Sequence, residues 1–450
     1  VSERRDDDTP AAPRRFRPYP AYKPSGVDWL GEIPEHWDVK KLKYGTNILM
    51  GQSPSSDTYD NENAILPFLQ GNAEFSEKHP IAQKFCDAAV KIAPKGALLL
   101  SVRAPVGALN IADQNYGIGR GLCGVIVKPG ALSRSFLWYL IHIIKEELFS
   151  QATGSTYEAV SADEVSSLLT LFPPIEEQTA IAAFLERETA KIDALVAKKE
   201  RLIELLEERR AALISRAVTR GLDPDAPLKP SGVDWLGEIP KGWEVLPLKR
   251  LSIISYGLGL ELDRTETEGT YILSLPNVTL EGILNLSEVP KTRLSDEEKE
   301  TLLLKKGDLL FNWRSGSPEH VGKTAYFDQD GEYTHVSFLL RLRFNSNEHD
   351  SRYFRYFLNN LRSTGFFSSS KFRVNTTFNQ TELRDLAVMV PPVDEQSAIA
   401  AFLDRETAKI DALVAKVREG IEKLKEYRTA LISAAVTGKI DVREEVTSYE

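Results

Sequence analysis

The stretch Lys-Pro-Ser-Gly-Val-Asp-Trp-Leu-Gly-Glu-Ile-Pro occurs at Lys23–Pro34 and again, unchanged, at Lys229–Pro240, an offset of 206 residues. A second duplicated block opens Pro-Pro-Ile-Glu-Glu-Gln at Pro173 and Pro-Pro-Val-Asp-Glu-Gln at Pro391. Within it Arg187–Lys198 recurs identically as Arg405–Lys416, an offset of 218. A period above 200 residues is a duplicated domain, not the short repeat of a solenoid. The intervening segments, Tyr44–Leu171 and Arg250–Met389, are much less alike, and the second is 12 residues longer. They are still related. Ser133-Arg134-Ser135-Phe136 matches Ser351-Arg352-Tyr353-Phe354 at offset 218, and Lys95-Gly96-Ala97-Leu98-Leu99 matches Lys306-Gly307-Asp308-Leu309-Leu310 at offset 211. The added residues therefore lie upstream of Ser351.

Each constant block reads as a long helix. The Pro pairs can end what precedes them and open a helix. From Glu177 to about Thr219 there is no Pro or Gly, and Gly221 and Gly438 suit helix C-termini. Apolar residues recur at heptad-like spacing: Leu185, Ile192, Leu195, Leu202, Leu206 and Leu213, then Leu403, Ile410, Leu413, Val417, Leu424, Tyr427 and Leu431. A narrow stripe on a rod about 60 Å long calls for a partner helix, and the natural partner is its own copy. Lys199 takes the place of Val417, Leu202 that of Gly420 and Arg209 that of Tyr427. Such differences either favour pairing within one chain over homodimers or are drift. Charges in Glu176–Gly221 balance, nine acidic against nine basic, so this helix is not a DNA-groove reader.

The intervening segments read as mixed α and β. Leu98–Val102 and Leu309–Phe311 look like buried strands, each after a Lys-Gly turn, with Leu122–Val127 and Val336–Phe344 as further strands. Arg134–Phe149 and Arg352–Leu361 look like amphipathic helices. The Pro- and Arg-rich N-terminus lacks an apolar signal core and reads as a disordered arm. The resulting division is 1–22 arm, 23–172 first domain, 173–221 first helix, 222–389 linker and second domain, 390–440 second helix and 441–450 tail.

Together the quoted motifs resemble the specificity subunit of type I restriction–modification systems. Gly-Val-Asp-Trp-Leu-Gly-Glu-Ile-Pro-x-x-Trp, ending at Trp37 and Trp243, resembles the entrance to each target recognition domain. Pro-Pro-x-x-Glu-Gln-x-x-Ile-Ala-x-Phe-Leu, at Pro173–Leu185 and Pro391–Leu403, resembles the lead into each helix. Gly51-Gln52-Ser53-Pro54 and Gly307-Asp308-Leu309-Leu310-Phe311 resemble inner motifs of the family more weakly. The resemblance implies an α+β fold: two globular target recognition domains separated by two long antiparallel coiled-coil helices, an internal pseudo-two-fold duplication. It also implies a non-catalytic, DNA-binding subunit. That subunit joins two methyltransferase subunits, and two motor–nuclease subunits are added for restriction. S-adenosylmethionine and ATP with Mg²⁺ would then sit on the partners, with no cofactor in this chain.

Two unlike domains on paired rods would meet a duplex at two places, as a symmetric dimer meets two half-sites, without requiring a palindrome. Arg reads guanine, and Asn or Gln reads adenine, through paired hydrogen bonds. On that basis the candidate DNA contacts of the first domain are Gln52, Ser53, Ser55, Tyr59, Gln70, Asn72, Arg103, Thr153, Ser155, Thr156 and Tyr157. Those of the second are Asn312, Trp313, Arg314, Ser315, Lys371, Arg373, Asn375 and Thr376. Arg103 and Arg314 follow strands, where an arginine is equally a structural residue. Arg341–Arg373 holds seven basic and two acidic residues among aromatics; it is either a basic surface or a helix with an aromatic core face.

Charge argues against phosphate neutralisation by this chain alone. The net formal charge is −9, with −3 on Tyr44–Leu171 and −2 on Arg250–Met389, whereas such binders are usually basic. Weak DNA binding without partners is therefore expected. Two cysteines give no disulfide framework, and no apolar run reaches a membrane span; a cytoplasmic location is expected. No Asn-Pro-Pro-aromatic motif or phosphate loop is present, and Gly117-Ile118-Gly119-Arg120-Gly121 reads as a turn rather than a dinucleotide fingerprint. The six histidines are scattered, without metal-ligand spacing. The rival readings are a coiled-coil scaffold that does not read DNA and a stand-alone nuclease or methyltransferase.

Overall fold

The computed structural model of the protein describes residues 16–55, 64–152, 159–259, 268–346, 348–367 and 377–445, with backbone alone for 146–152. Its described helices are α1 (Arg134–Ala152), α2 (Ala162–Ser167), α3 (Ile175–Arg220), α4 (Leu248–Leu251), α5 (Asp296–Leu302), α6 (Ser351–Ser363), α7 (Gln380–Asp385) and α8 (Val393–Val436). The chain divides into two compact units, Val1–Lys198 with Glu419–Glu450 and Lys199–Arg418. The division falls inside both long helices. Each unit thus owns half of α3 and half of α8 rather than ending at the Pro pairs.

The first unit is built on a four-stranded antiparallel sheet in the order Thr46–Met50, Leu122–Val127, Leu98–Ser101, Leu109–Ile111. A smaller sheet runs Lys84–Phe85, Pro67–Leu69, Tyr116–Ile118, Ile92–Ala93, its central pair parallel. The second unit repeats the plan. Its antiparallel sheet runs Ser252–Tyr256, Leu339–Phe344, Leu309–Asn312, Thr324–Tyr326, and its smaller sheet runs Lys291–Thr292, Thr270–Leu273, Tyr333–His335, with the last two parallel. The duplication therefore extends through segments whose sequences have diverged.

The central strands show why. Successive strand residues face opposite sides. In the first unit Leu98 and Leu100 pack with Phe136, Leu137 and Leu140 of α1, while Leu99 joins Leu69, Tyr116 and Ile118 of the smaller sheet. In the second, Leu309 and Phe311 meet Tyr353, Phe354 and Phe357 of α6, and Leu310 meets Ile272 and Leu273. A sheet covered on both faces needs an unbroken apolar run, which is what Leu-Leu-Leu and Leu-Leu-Phe supply. The preceding turns place Gly96 and Gly307 at φ of +89° and +95°, conformations that glycine adopts without steric cost.

The Pro-Pro-x-x-Glu-Gln motif is a corner brace. Gln178 Nε2 donates to Pro173 O (2.9 Å) while its Oε1 accepts from Ser133 N (2.7 Å). Gln396 does the same with Pro391 O (2.7 Å) and Asp350 N (2.9 Å). Both glutamines are buried, so losing either would strand polar groups in the interior. The neighbouring carboxylates differ in use: Glu395 accepts from Trp243 Nε1 at 2.9 Å, whereas Glu177 pairs with His36 Nε2 at 2.8 Å.

The inward face of α3 follows Leu185, Thr189, Ile192, Val196, Lys199, Ile203, Leu206, Arg210, Leu213 and Ala217, and α8 repeats it 218 residues on from Leu403 to Ala435. Steps alternate three and four, the spacing of a coiled-coil seam. Nine of the thirteen expected stripe residues lie on this face, and the other four are one residue out of phase. Leu195, Leu202, Leu413 and Tyr427 are 44, 41, 44 and 40% exposed, and Arg209 is exposed with them. Of the expected seam differences, Lys199 against Val417 does lie on the inward face, whereas Leu202, Arg209 and Tyr427 lie outside it. The displaced positions go to Val196, Ile203, Val414 and Ile421, and to arginines that reach the other helix. In the first unit Arg428 Nε lies 2.9 Å from Asp193 Oδ1, and in the second Arg210 Nε lies 3.4 Å from Asp411 Oδ1. These are the same pair in the duplicated numbering. Within the second unit Arg418 also meets Glu207 (3.5 Å), so α8 runs antiparallel to α3 there.

The chain ends also differ from the sequence expectation. Residues 16–22, the described part of the expected arm, are not disordered, and they bond to residues 441–445. Phe16 stands edge-on to Phe184 at 5.2 Å, Tyr19 and Val442 are buried, and Asp441 N donates to Arg17 O at 2.7 Å. Two apolar anchors and a backbone bridge hold a segment that composition alone marks as loose.

The seam assignment makes a direct prediction. Leu206→Ala should destabilise the protein by about 2–3 kcal/mol through cavity formation, and Leu202→Ala by no more than about 0.5 kcal/mol. Calorimetric melting of the two variants checks this, and equal losses would contradict the phase.

Candidate nucleic-acid interface

In each unit the chain leaves the antiparallel sheet by crossing to the smaller one. Gly51 N donates to Leu122 O and Gln52 N to Ile118 O, both at 2.9 Å. A Cβ on Gly51 would lie 2.1 Å from Gly119 O, closer than any side chain tolerates. The second unit makes the same crossing, with Leu258 N donating to His335 O at 2.8 Å and a Cβ on Gly257 falling 2.1 Å from that oxygen. Glycine is required at both points by close backbone approach.

The glycine-rich stretch has the same cause. Gly117 lies in a strand, and only Arg120-Gly121 is a turn. A Cβ on Gly119 would meet Gln70 Oε1 at 2.6 Å, and one on Gly121 would meet Gln70 O at 2.7 Å. Around this point several candidates converge. Ser53 Oγ accepts from Gln70 Nε2 (2.8 Å) and Arg120 N (3.3 Å). Val102 N donates to Gly121 O and Val160 N to Val102 O, both at 2.9 Å, and Arg103 forms an isolated bridge with Ala159. Gln52, Ser55, Arg103 and Arg120 are exposed there, while Ser53, Gln70 and Asn72 are half-buried. Tyr59, Thr153, Ser155, Thr156 and Tyr157 lie outside the described residues.

The second unit places Arg314 at the equivalent bridge, with Thr377. Phe378 N donates to Trp313 O and Trp313 Nε1 to Ser337 O, both at 2.7 Å. The indole stands edge-on to Tyr256 at 5.6 Å, and the Arg314 guanidinium lies 5.9 Å from the ring centre of Phe338. Arg314 is exposed and Ser315 half-buried. Asn312 is withdrawn: at 1% exposure it faces the core, and its Oδ1 accepts from Arg314 N at 3.2 Å. It shapes the loop and cannot reach a duplex. Lys371, Arg373, Asn375 and Thr376 lie outside the described residues.

The described part of the basic stretch Arg341–Arg373 resolves as a structural helix and strand, not a binding surface. Arg343 grips buried Asp308 (2.8 and 2.6 Å), Arg341 donates to Thr301 O (2.8 Å), and Arg352 and Arg355 share Asp404 (3.2 and 3.1 Å). The α6 aromatics Tyr353, Phe354 and Phe357 are fully buried. Arg120, Tyr256 and Phe338 were not among the candidates and lie beside them. The spacing Gly119-Arg120-Gly121 carried the signal for the first, since glycines on both sides mark backbone crowding around an exposed side chain.

Behind the second crossing, burial pushes the His335 imidazole down to about 3, with nearby Arg341 and Arg343 opposing its protonation further. The corresponding strand position in the first unit is Ile118. The native state thus holds this ring neutral while the unfolded chain takes up a proton below about pH 6.5. Stability from this residue is present above that pH and falls by about 1.4 kcal/mol per pH unit below it. His335→Ile should flatten the acid limb of the stability profile between pH 6.5 and 3; denaturant titrations at several pH values check it.

Among the described residues no cluster of His, Cys, Asp or Glu is placed to hold a metal ion, and no helix is long and apolar enough to cross a membrane. Cys86 and Cys123 are buried free thiols, and burial pushes Cys123 up to about 12, which makes it a poor nucleophile.

Two copies of one α/β plan, each with a glycine-requiring strand crossing and a stretch of α3 paired with α8, define a class of duplicated α/β protein. The family model described as the type I restriction modification DNA specificity domain matches residues 34–205 and 240–423. The chain therefore belongs to the family of type I restriction–modification specificity subunits. It is 36% identical over 193 residues to the putative type I restriction enzyme MjaX specificity subunit of Methanocaldococcus jannaschii, covering 42% of this chain and 44% of that protein. With the MjaIX specificity subunit of the same organism it shares 30% identity over 50% of this chain and 53% of that one. The chain thus spans about half the length of these two relatives. The match to the EcoKI specificity subunit of Escherichia coli is 22% identical and covers 91% of this chain and 90% of that one. The fold is similar to that of a chain solved in a study of complex assembly and conformational transition of the type I system (TM-score 0.72, 17% identity, 90% of this chain and 98% of that one). It is also similar to the HsdS subunit of Thermoanaerobacter tengcongensis (TM-score 0.55, 18% identity, 91% and 98%).

Proposed function

We propose that the chain reads a bipartite duplex, one short half-site per unit, across the two strand crossings. The observation that carries this reading is the recurrence of one exposed arginine bridge, Arg103 with Ala159 and Arg314 with Thr377, at equivalent points of two units whose other face residues differ. Equivalent placement suits equivalent approach to DNA, and unlike side chains suit unlike bases. Contacts to phosphates position such a protein; the net charge of −9 leaves little of that work to this chain. In this reading two methyltransferase subunits dock on the duplicated helical faces and complete the grip, and two motor–nuclease subunits join for restriction. S-adenosylmethionine and ATP with Mg²⁺ belong to those partners. A purely scaffolding role is less well supported, since it assigns no purpose to unlike loops on a repeated framework.

Methylated-site mapping of the assembled system is the test. Two short specified blocks with a fixed unread gap are expected, and a continuous motif would refute the reading. Exchanging Tyr44–Leu171 for the corresponding segment of another such subunit should change one block only. Because α3 runs unbroken through both units, adding one helical turn near Lys198 should alter the gap and leave both blocks unchanged. The purified chain alone should bind DNA weakly, with affinity rising on addition of the methyltransferase.

A further inference from the structure

We infer that Arg103 and Arg120 act together as the guanine-reading pair of the first unit. This rests on the DNA-reading role proposed above and adds the base they select. Leu122 pairs with Ser101, and Val102 N donates to Gly121 O at 2.9 Å. Arg120 and Arg103 therefore leave the same ladder end on neighbouring strands. Both are exposed, and neither has an ion-pair partner among the described residues. They differ in this from Arg341, Arg343, Arg352, Arg355 and Arg362, which each bond to the protein, and resemble Arg314, the equivalent of Arg103.

The backbones beneath the two side chains are fixed. Arg120 N donates to Ser53 Oγ, Gly119 N donates to Leu69 O at 2.8 Å, and Arg103 is bridged to Ala159. A rigid base under a free guanidinium is the arrangement that favours a directed contact. Two cations side by side repel one another until an acceptor arrives. A two-stranded end fits the major groove, where guanine offers O6 and N7 in the spacing of the guanidinium fork. Phosphate oxygens would also relieve the repulsion, but a lysine can still hold them as a point charge, whereas it lacks the planar two-donor fork. In the second unit the ladder ends at Asn312 with Leu339, and the position corresponding to Arg120 is Ser337, not an arginine, beside exposed Phe338. That unit should select a different base set.

The experiment compares wild type, Arg103→Ala, Arg120→Ala, Arg120→Lys and Arg103→Lys, each assembled with its methyltransferase, by methylated-site sequencing and by competition with duplexes altered one base at a time. Both arginines are exposed, so the variants should assemble normally. The expected result is a loss on the order of ten- to a hundredfold in discrimination at guanine positions of one block. The other block should be unchanged, and lysine should fail to restore discrimination. An unchanged motif, or a uniform loss across all sequences that lysine restores, would overturn the inference and leave the bipartite reading intact. Failure of the wild-type assembly to mark two separated blocks would instead overturn the reading on which it rests.

Discussion

Two helices of 46 and 44 residues, rich in charge, each carry a narrow apolar stripe that only a partner can cover. Their pairing is the constraint from which the rest follows. Within each unit part of α3 is covered by part of α8, so the first unit must join two separate stretches of chain, whereas the second is the continuous stretch Lys199–Arg418. The Gln178 and Gln396 corners then tie each helix start to α1 or α6, and those helices cover the antiparallel sheets. The strand crossings sit on sheets whose position is thereby set by long-range packing, with no dependence on local loop preference.

Much of this was legible in the residues. The repeat offsets located the duplication, the Leu-rich runs located the doubly covered strands, and Gly221 and Gly438 marked helix ends, at φ of +75° and +72°. The seam phase was not legible, because two apolar stripes one residue apart compete on each helix. Leu195 and Leu202 look better than Val196, Thr189 or Arg210, yet the latter face inward. A guanidinium at a seam edge is tolerated when its charged end meets an aspartate, as Arg210 and Arg428 do; aliphatic stems pack while heads stay wet. That compensation comes from the other helix and cannot be seen along one.

The surroundings of the candidate residues were only partly legible for a related reason. Ser53, Gln70 and Arg103 were identifiable as loop residues near strands, but their convergence with Arg120 depends on register between two sheets. Asn312 looked like a base reader because its residue type suits adenine, while its position at the end of a core strand turns it inward. The second unit also carries a polar layer, Asp308 with Arg343, where the first has Ala97 and Ile126 in its apolar core. A common framework therefore accommodates different interior chemistry, which explains why sequence similarity fades between the repeats while the strand order persists.

The glycine crossings have a wider consequence. At Gly51 the close approach is to main-chain atoms alone, and at Gly257 it is to the main chain of His335 with that residue's buried ring beside it. Neighbouring surface residues can then be replaced without disturbing the joint beneath them. Mutational drift on such a surface meets little resistance from folding, so new lettering can accumulate on an unaltered typeface.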